Sequence, residues 1–325
     1  MANTFDPKSI AIYSCGEVIG DGLYKLPFVQ ECRRRFPAAK ITWIAGLGPS
    51  VFSNLLAPLL DGLVDEVIEE ANIGTFGQLI NSSAPINGRR FDLVLDTQRN
   101  GMRTICARRI RHGVFLSSTA RFFFSSRRPA NQTVFPRSLL GQFTFLLDLV
   151  SESPGGVPEP IRVGPEFLKS AAKVLPDGPR YVGFAPGAGD KTKTWPLDRF
   201  ISLARARVEA EDVPVFILGP DERDWTEHIR HAIPQAVMPD TSEGPALVTA
   251  LGSRMIAAVA NDSGAGHMLA LSQVPLVSIY SKADPMKYVL NIPRLVVIDS
   301  KTYGGTDPSL IPLADVASAL ESLLD

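Results

Sequence analysis

The chain has 325 residues, 45% of them hydrophobic and 21% charged, with a formal net charge of −1. That length exceeds one ordinary core and suits two α/β domains, and the composition excludes a chain dominated by disorder. A balance this close to neutral gives no whole-protein attraction for nucleic acid.

Short apolar runs alternate with helix-period segments along the whole chain, the pattern of parallel sheets wrapped by helices. Residues 9–14 read as a buried strand, followed by a glycine-rich loop and a helix that turns Leu23, Leu26, Val29, Cys32 and Phe36 inward. Strands are predicted at 41–45, 66–68 and 93–96, the last running into an arginine-rich helix near 99–111. Between Ser151 and Arg180 the density of Pro and Gly marks a boundary around a short helical piece at 166–174. The predicted domains are 1–160 and 161–325. The second half repeats the alternation, with strands at 181–185, 215–218, 256–260 and 276–280 and a helix starting at Pro196. A closing helix at 313–324 has Leu313, Val316, Ala317, Leu320 and Leu324 on one stripe; whether it packs back on the first domain is left open. Two such units predict a cleft between them, with ligands at the carboxyl ends of the strands.

The remaining chemistry is thinly signalled. Cys15, Cys32 and Cys106, and His112, His228, His231 and His267, show no CxxC, HExxH or other ligand spacing, which predicts reduced core thiols and no metal site. Met1 to Ile10 lacks the pattern of a secretory signal, and no apolar segment approaches the ~20 residues that span a bilayer. The expectation is a cytoplasmic protein that at most touches a membrane surface. One local imbalance stands out. From Thr97 to Leu147 there is no Asp or Glu but there are nine arginines, interleaved with Phe115, Phe122, Phe123 and Phe124. That stretch reads equally as a grip on an anionic lipid-linked acceptor at the inner membrane or as core rings beside solvated cations.

Four strand-to-helix loops carry candidate chemistry. The first, Ser14 to Gly22, has a GxxxGxG spacing that would suit a dinucleotide, but no tyrosine begins the YxxxK pair that a short-chain dehydrogenase needs. Its Asp21 is either a helix cap or a carboxylate able to take a proton from an acceptor hydroxyl. The second, Pro186 to Pro196, combines Gly187, Ala188 and Gly189 with Lys193 before a helix, a candidate anion site. The third, Ala260 to His267, offers amides at Ser263 and Gly264 and a carboxylate, Asp262, suited to sugar hydroxyls. The fourth, Gly219 to Glu222, sets an acidic side chain where ribose could bind, or else a solvated helix start.

Taken together these loops resemble glycosyltransferase family nine, the lipopolysaccharide heptosyltransferases. The resemblance rests on Pro186-Gly187-Ala188, Lys193-Thr194-Trp195-Pro196, Thr241-Ser242 and Asn261-Asp262-Ser263-Gly264 with His267. In the first half it rests on Gly20-Asp21, Leu26-Pro27 and Leu95-Asp96-Thr97-Gln98. It implies a GT-B fold of two Rossmann-like domains facing across a cleft. It also implies an inverting, metal-independent transfer of a heptose from a nucleotide-diphosphate donor, ADP-heptose, to a lipopolysaccharide-core or similar glycan, with no cofactor. By the same resemblance Asp21 is the catalytic base. Lys193, Glu222, Thr241, Ser242, Asp262, Ser263, Gly264 and His267 bind donor, Gly187, Ala188 and Gly189 form the phosphate loop, and Gln98 and Arg99 face the acceptor. The chain departs from the family at Gly189, at Ala265-Gly266 before the histidine, and in carrying Glu17 and Gly22. Two other readings stand beside this one: a sugar-nucleotide epimerase on the same fold, and a non-catalytic nucleotide-sugar-binding protein.

Overall fold

The computed structural model describes residues 5–80, 85–130 and 133–325. The chain divides into two compact units, Met1–Val157 and Pro158–Asp325.

In the first unit the order is β1 (Ser9–Ser14), α1 (Ile19–Arg35), β2 (Lys40–Ala45), β3 (Glu66–Ile68), α2 (Phe76–Ile80), β4 (Arg90–Asp96), α3 (Gly101–Arg108), β5 (Arg111–Ser117), α4 (Thr119–Phe122) and α5 (Leu139–Asp148). The sheet runs β3-β2-β1-β4-β5, and every pairing is parallel. β1 is central because Ile10 to Tyr13 are apolar on both faces and wholly covered, as a strand flanked by helices requires. The five residues predicted to face inward from α1 and its C-cap are buried. β5 escaped the sequence reading. Its first residues, Arg111-His112-Gly113, lie on an edge strand and carry none of the apolar run that marks a central one.

The second unit contains α6 (Pro165–Val174), β6 (Tyr181–Ala185), α7 (Leu197–Glu209), β7 (Val213–Phe216), α8 (Thr226–Ala232), α9 (Pro245–Gly252), β8 (Met255–Asn261), α10 (Gly264–Leu271), β9 (Leu276–Tyr280), α11 (Pro285–Tyr288), β10 (Leu295–Asp299) and α12 (Leu313–Leu324). Its sheet, β10-β9-β8-β6-β7, is also wholly parallel. β7 starts two residues before the predicted 215–218, taking in Pro214, which an edge strand tolerates because no neighbour needs its missing N–H. β10, a half-exposed edge strand, was also missed. The closing helix α12 lies on its own unit, against β8, β9, β10 and α7, burying Val316, Leu320 and Leu323.

Because each sheet is wholly parallel, each unit presents its own strand-to-helix loops at the carboxyl ends of its strands. Those loops hold the candidate residues.

Candidate functional site

In the second unit, the loop after β6 is fixed by a residue that the sequence reading gave no role. Asn261, the last residue of β8, is fully buried. Its Nδ2 donates to the Pro186 carbonyl at 2.7 Å, and its Oδ1 accepts the Trp195 N–H at 3.1 Å. One side chain thus pins both ends of the 186–195 loop. Within it Asp190 caps a short turn, Lys191–Lys193, by accepting the Thr192 N–H at 3.0 Å. Hydrogen bonds from the Thr192 hydroxyl and amide, with Lys282 nearby, hold the Asp190 carboxyl well below the usual range.

That turn delivers Lys193 to Asp262, with Nζ 3.2 Å from Oδ2, the lysine half-buried and the aspartate nearly covered. Asp262 directly precedes Ser263, the N-cap of α10, whose Oγ accepts the Gly266 N–H at 3.3 Å. The first amides of a helix have no partner within it, so this corner combines a cation with N–H groups directed outward. A small cavity of about 10 Å³, water-sized, is lined here by Asn261, Asp262, Ser263, His267 and Tyr280. The departure at Ala265-Gly266 has a steric reason: a Cβ at position 266 would lie 2.6 Å from the Asn261 carbonyl oxygen.

Glu222 is not the solvated helix start that was one reading of its loop. It is 8% exposed, and Oε2 accepts the Gly219 N–H at 3.0 Å. Its carboxylate lies against Gly187, so the fourth loop and the phosphate loop meet. Burial pushes its carboxyl above the ordinary value, and the neighbouring Asp221 adds to this. Thr241 spends its hydroxyl on the Leu218 carbonyl at 2.9 Å, tying its loop to the end of β7. Ser242 is exposed, with its N–H on Asp240 at 2.9 Å, and Ala188 is buried while Gly189 is exposed.

In the first unit, Asp21 is exposed in the first turn of α1. It does not cap that helix: the N-cap is Val18, whose side chain offers no hydrogen bond. The loop before it is anchored by Glu17, whose Oε1 accepts the Trp43 indole N–H and Oε2 the Ser50 hydroxyl, each at 2.6 Å. The residue that departs from the family pattern is thus the loop's anchor. At the end of β4, buried Asp96 accepts from Thr104 Oγ1 at 2.6 Å, Ser117 Oγ at 2.8 Å and the Gln98 N–H at 2.9 Å. Burial still pushes its carboxyl up to about 6. Gln98 is buried and accepts from Arg103 at 3.1 Å; Arg103 also reaches the Cys15 carbonyl at 3.2 Å, so the β4 loop braces the loop that carries Asp21. Arg99 is exposed. Of the four interleaved phenylalanines, Phe115 and Phe122 are core, Phe124 is half-buried and Phe123 is 67% exposed beside Arg128.

Among the described residues, no helix is long and apolar enough to cross a membrane. Nor does any group of three or more His, Cys, Asp or Glu among them suit a metal ion.

No curated protein matches this sequence. Solved structures do match in fold. A glycosyl transferase family 9 protein from Veillonella parvula is 20% identical, with TM-score 0.75 over 98% of both chains. E. coli ADP-heptose lps heptosyltransferase II is 20% identical, with TM-score 0.70 over 97% of this chain and 98% of that one. E. coli heptosyltransferase WaaC, solved with ADP-2-deoxy-2-fluoro heptose, is 18% identical, with TM-score 0.66 over 97% and 99%. The family model described as glycosyltransferase family 9 (heptosyltransferase) matches residues 84–306, more than half of the chain. With its two parallel five-stranded α/β units, the chain belongs to glycosyltransferase family 9 and is a glycosyltransferase of the GT-B fold.

Proposed function

We propose that this glycosyltransferase moves a heptose from ADP-heptose to a glycan acceptor of the lipopolysaccharide-core type, with inversion and without a metal ion. The acceptor hydroxyl gives its proton to the Asp21 carboxylate while its oxygen bonds to the anomeric carbon. The bond from that carbon to the diphosphate breaks, and the electron pair leaves with the diphosphate oxygen. Lys193 and the amides at Ser263 and Gly264 meet the charge that develops there. The observation that carries this reading is the pairing of Lys193 with Asp262 beside the start of α10, a cation and a helix N-terminus at one corner. Glu222 and the 187–189 turn complete the donor pocket, with Thr241, Ser242 and His267 around it, and Gln98 and Arg99 face the acceptor.

Asp21→Asn tests the proposal. Turnover should fall about 10³-fold, the worth of a positioned base, while calorimetric affinity for ADP stays unchanged. Full turnover in that variant removes the base assignment. The arginine stretch with exposed Phe123 supports peripheral contact with an anionic lipid-linked acceptor. Sedimentation with phosphatidylglycerol vesicles, compared with neutral ones, reads it directly.

A further inference from the structure

The loop after β9 carries a lysine to which the transfer step above assigns no task. Lys282 lies two residues beyond Tyr280, the last of β9. Its Nζ pairs with Asp190 Oδ2 at 3.3 Å and donates to the Thr192 hydroxyl. Both partners belong to the loop after β6. In the sheet β8 lies between β9 and β6, so the side chain reaches across the end of β8 to make these bonds. The backbone of Lys282 is held in turn by Lys301, from the turn that follows β10. Lys301 Nζ donates to the carbonyls of Lys282 at 3.1 Å and Ala283 at 2.8 Å.

What Lys282 grips is the cap of the turn that presents Lys193. The Asp190 carboxylate accepts the Thr192 N–H at 3.0 Å and the Thr192 hydroxyl, while its backbone carbonyl accepts the Lys193 N–H at 2.9 Å. From this turn the Lys193 side chain runs to Asp262. A single 3₁₀ turn closes with poor hydrogen-bond geometry, so its placement depends on groups outside it. Both members of the Lys282–Asp190 pair are about half exposed, and such a pair adds little to the stability of the whole unit. Its consequence is local: it selects one place for the turn.

We propose that Lys282 is a positioning residue for Lys193. It latches the 190–193 turn to the end of β9, so that the Lys193 ammonium already stands beside Asp262 and the start of α10 when the nucleotide diphosphate arrives. The inference rests on the reading of Lys193 as the cation that meets the diphosphate. A cation fixed before the ligand binds avoids the ordering cost that a loose turn incurs on binding.

The test is a double-mutant cycle on the calorimetric affinity for ADP, over the native chain, Lys193→Met, Lys282→Met and the double variant. Lys193→Met should weaken ADP about 10- to 100-fold, the worth of a hydrogen bond to a charged group. Lys282→Met should weaken it about fivefold, the reach of an exposed pair, and leave the melting temperature within about 2 °C of native. Once Lys193 is gone the latch has nothing to place, so the double variant should bind ADP as Lys193→Met does. Asp190→Asn keeps a side chain able to cap the turn but loses the charge, and should match Lys282→Met. Lys282→Arg keeps the charge and should bind ADP within about twofold of native. Unchanged ADP affinity in Lys282→Met, or an arginine variant as impaired as the methionine one, overturns the proposal. So do losses that add in the double variant, which would put Lys282 on the diphosphate itself. The two readings fail separately. Unaltered ADP affinity in Lys193→Met removes the diphosphate cation and the latch with it, whereas a weakened Lys193→Met beside an unaltered Lys282→Met removes the latch alone.

Discussion

The Glu222 carboxylate is packed against the Cα of Gly187, so closely that a Cβ at position 187 would fall 2.6 Å from Oε1. A glycine in the phosphate loop and a carboxylate in the next strand-to-helix loop are thus one steric unit. Gly187→Ala should cost about 1–3 kcal/mol, the range for overpacking, read from the urea midpoint. The donor KM should rise with it, because relief requires Glu222 or the loop to move. Adding Glu222→Ala should recover the stability but not the KM; a double variant no more stable than Gly187→Ala would contradict the packing argument.

Asn261 makes two buried hydrogen bonds through one amide, donating to the Pro186 carbonyl and accepting from the Trp195 N–H. Asn261→Ala orphans the Pro186 carbonyl and the Trp195 N–H, for a loss of about 2–4 kcal/mol. Asn261→Asp should be nearly as damaging, since a carboxylate accepts from Trp195 but sets an acceptor against the Pro186 oxygen. Thermal melts of the three chains check the order.

Asp96 gives the first unit a pH dependence of unusual sign. Its folded carboxyl titrates at about 6 against an ordinary value of 3.8, so the folded state holds the proton more tightly than the unfolded one. Stability contributed by that proton is full below pH ~4 and lost as pH rises through ~6, an effect of at most about 3 kcal/mol. Glu31, Asp65, Glu66 and Asp92 are shifted down instead, and their stabilising charge is lost only as pH falls below the ordinary carboxylate range. Glu222 in the second unit is shifted up as well and acts in the same sense, so melting temperature should drop as pH rises through about 6 in the native chain and drop less steeply in Asp96→Asn. A parallel drop in both chains would assign the slope elsewhere.

Glu17 anchors the loop that carries Asp21, through Trp43 and Ser50. Glu17→Ala should lower kcat by loosening that loop, with about 1–3 kcal/mol of stability lost for the buried donors left unpaired. Its effect on ADP affinity should be negligible, since the ADP contacts proposed above all lie in the second unit. A large change in ADP affinity would argue against that division.

Much of the fold was legible because interior strands such as 9–14 and 181–185 are apolar on both faces and bounded by glycine or proline. The strands that escaped, 111–117 and 295–299, are both edges; the first opens on the polar Arg111-His112-Gly113, whereas the second carries the apolar run Leu295 to Ile298, which the sequence reading passed over. The candidate loops were legible from their small residues and charges, but Asn261, Glu17 and Lys25 were not assigned roles. An asparagine at a strand end, an extra acid in a loop and a lysine inside a helix each look ordinary until burial is known.

By itself the sequence determined which segments alternate, where the strand-to-helix loops fall and which charged residues occupy them, because local periodicity and turn chemistry are written in neighbouring residues. Tertiary structure alone decided that Glu222 closes on Gly187, that Lys193 meets Asp262, and that Lys25 is withdrawn from water against Ser14. Those relationships join residues from different loops, or depend on what covers a side chain, and packing between distant segments of chain sets them rather than any local preference.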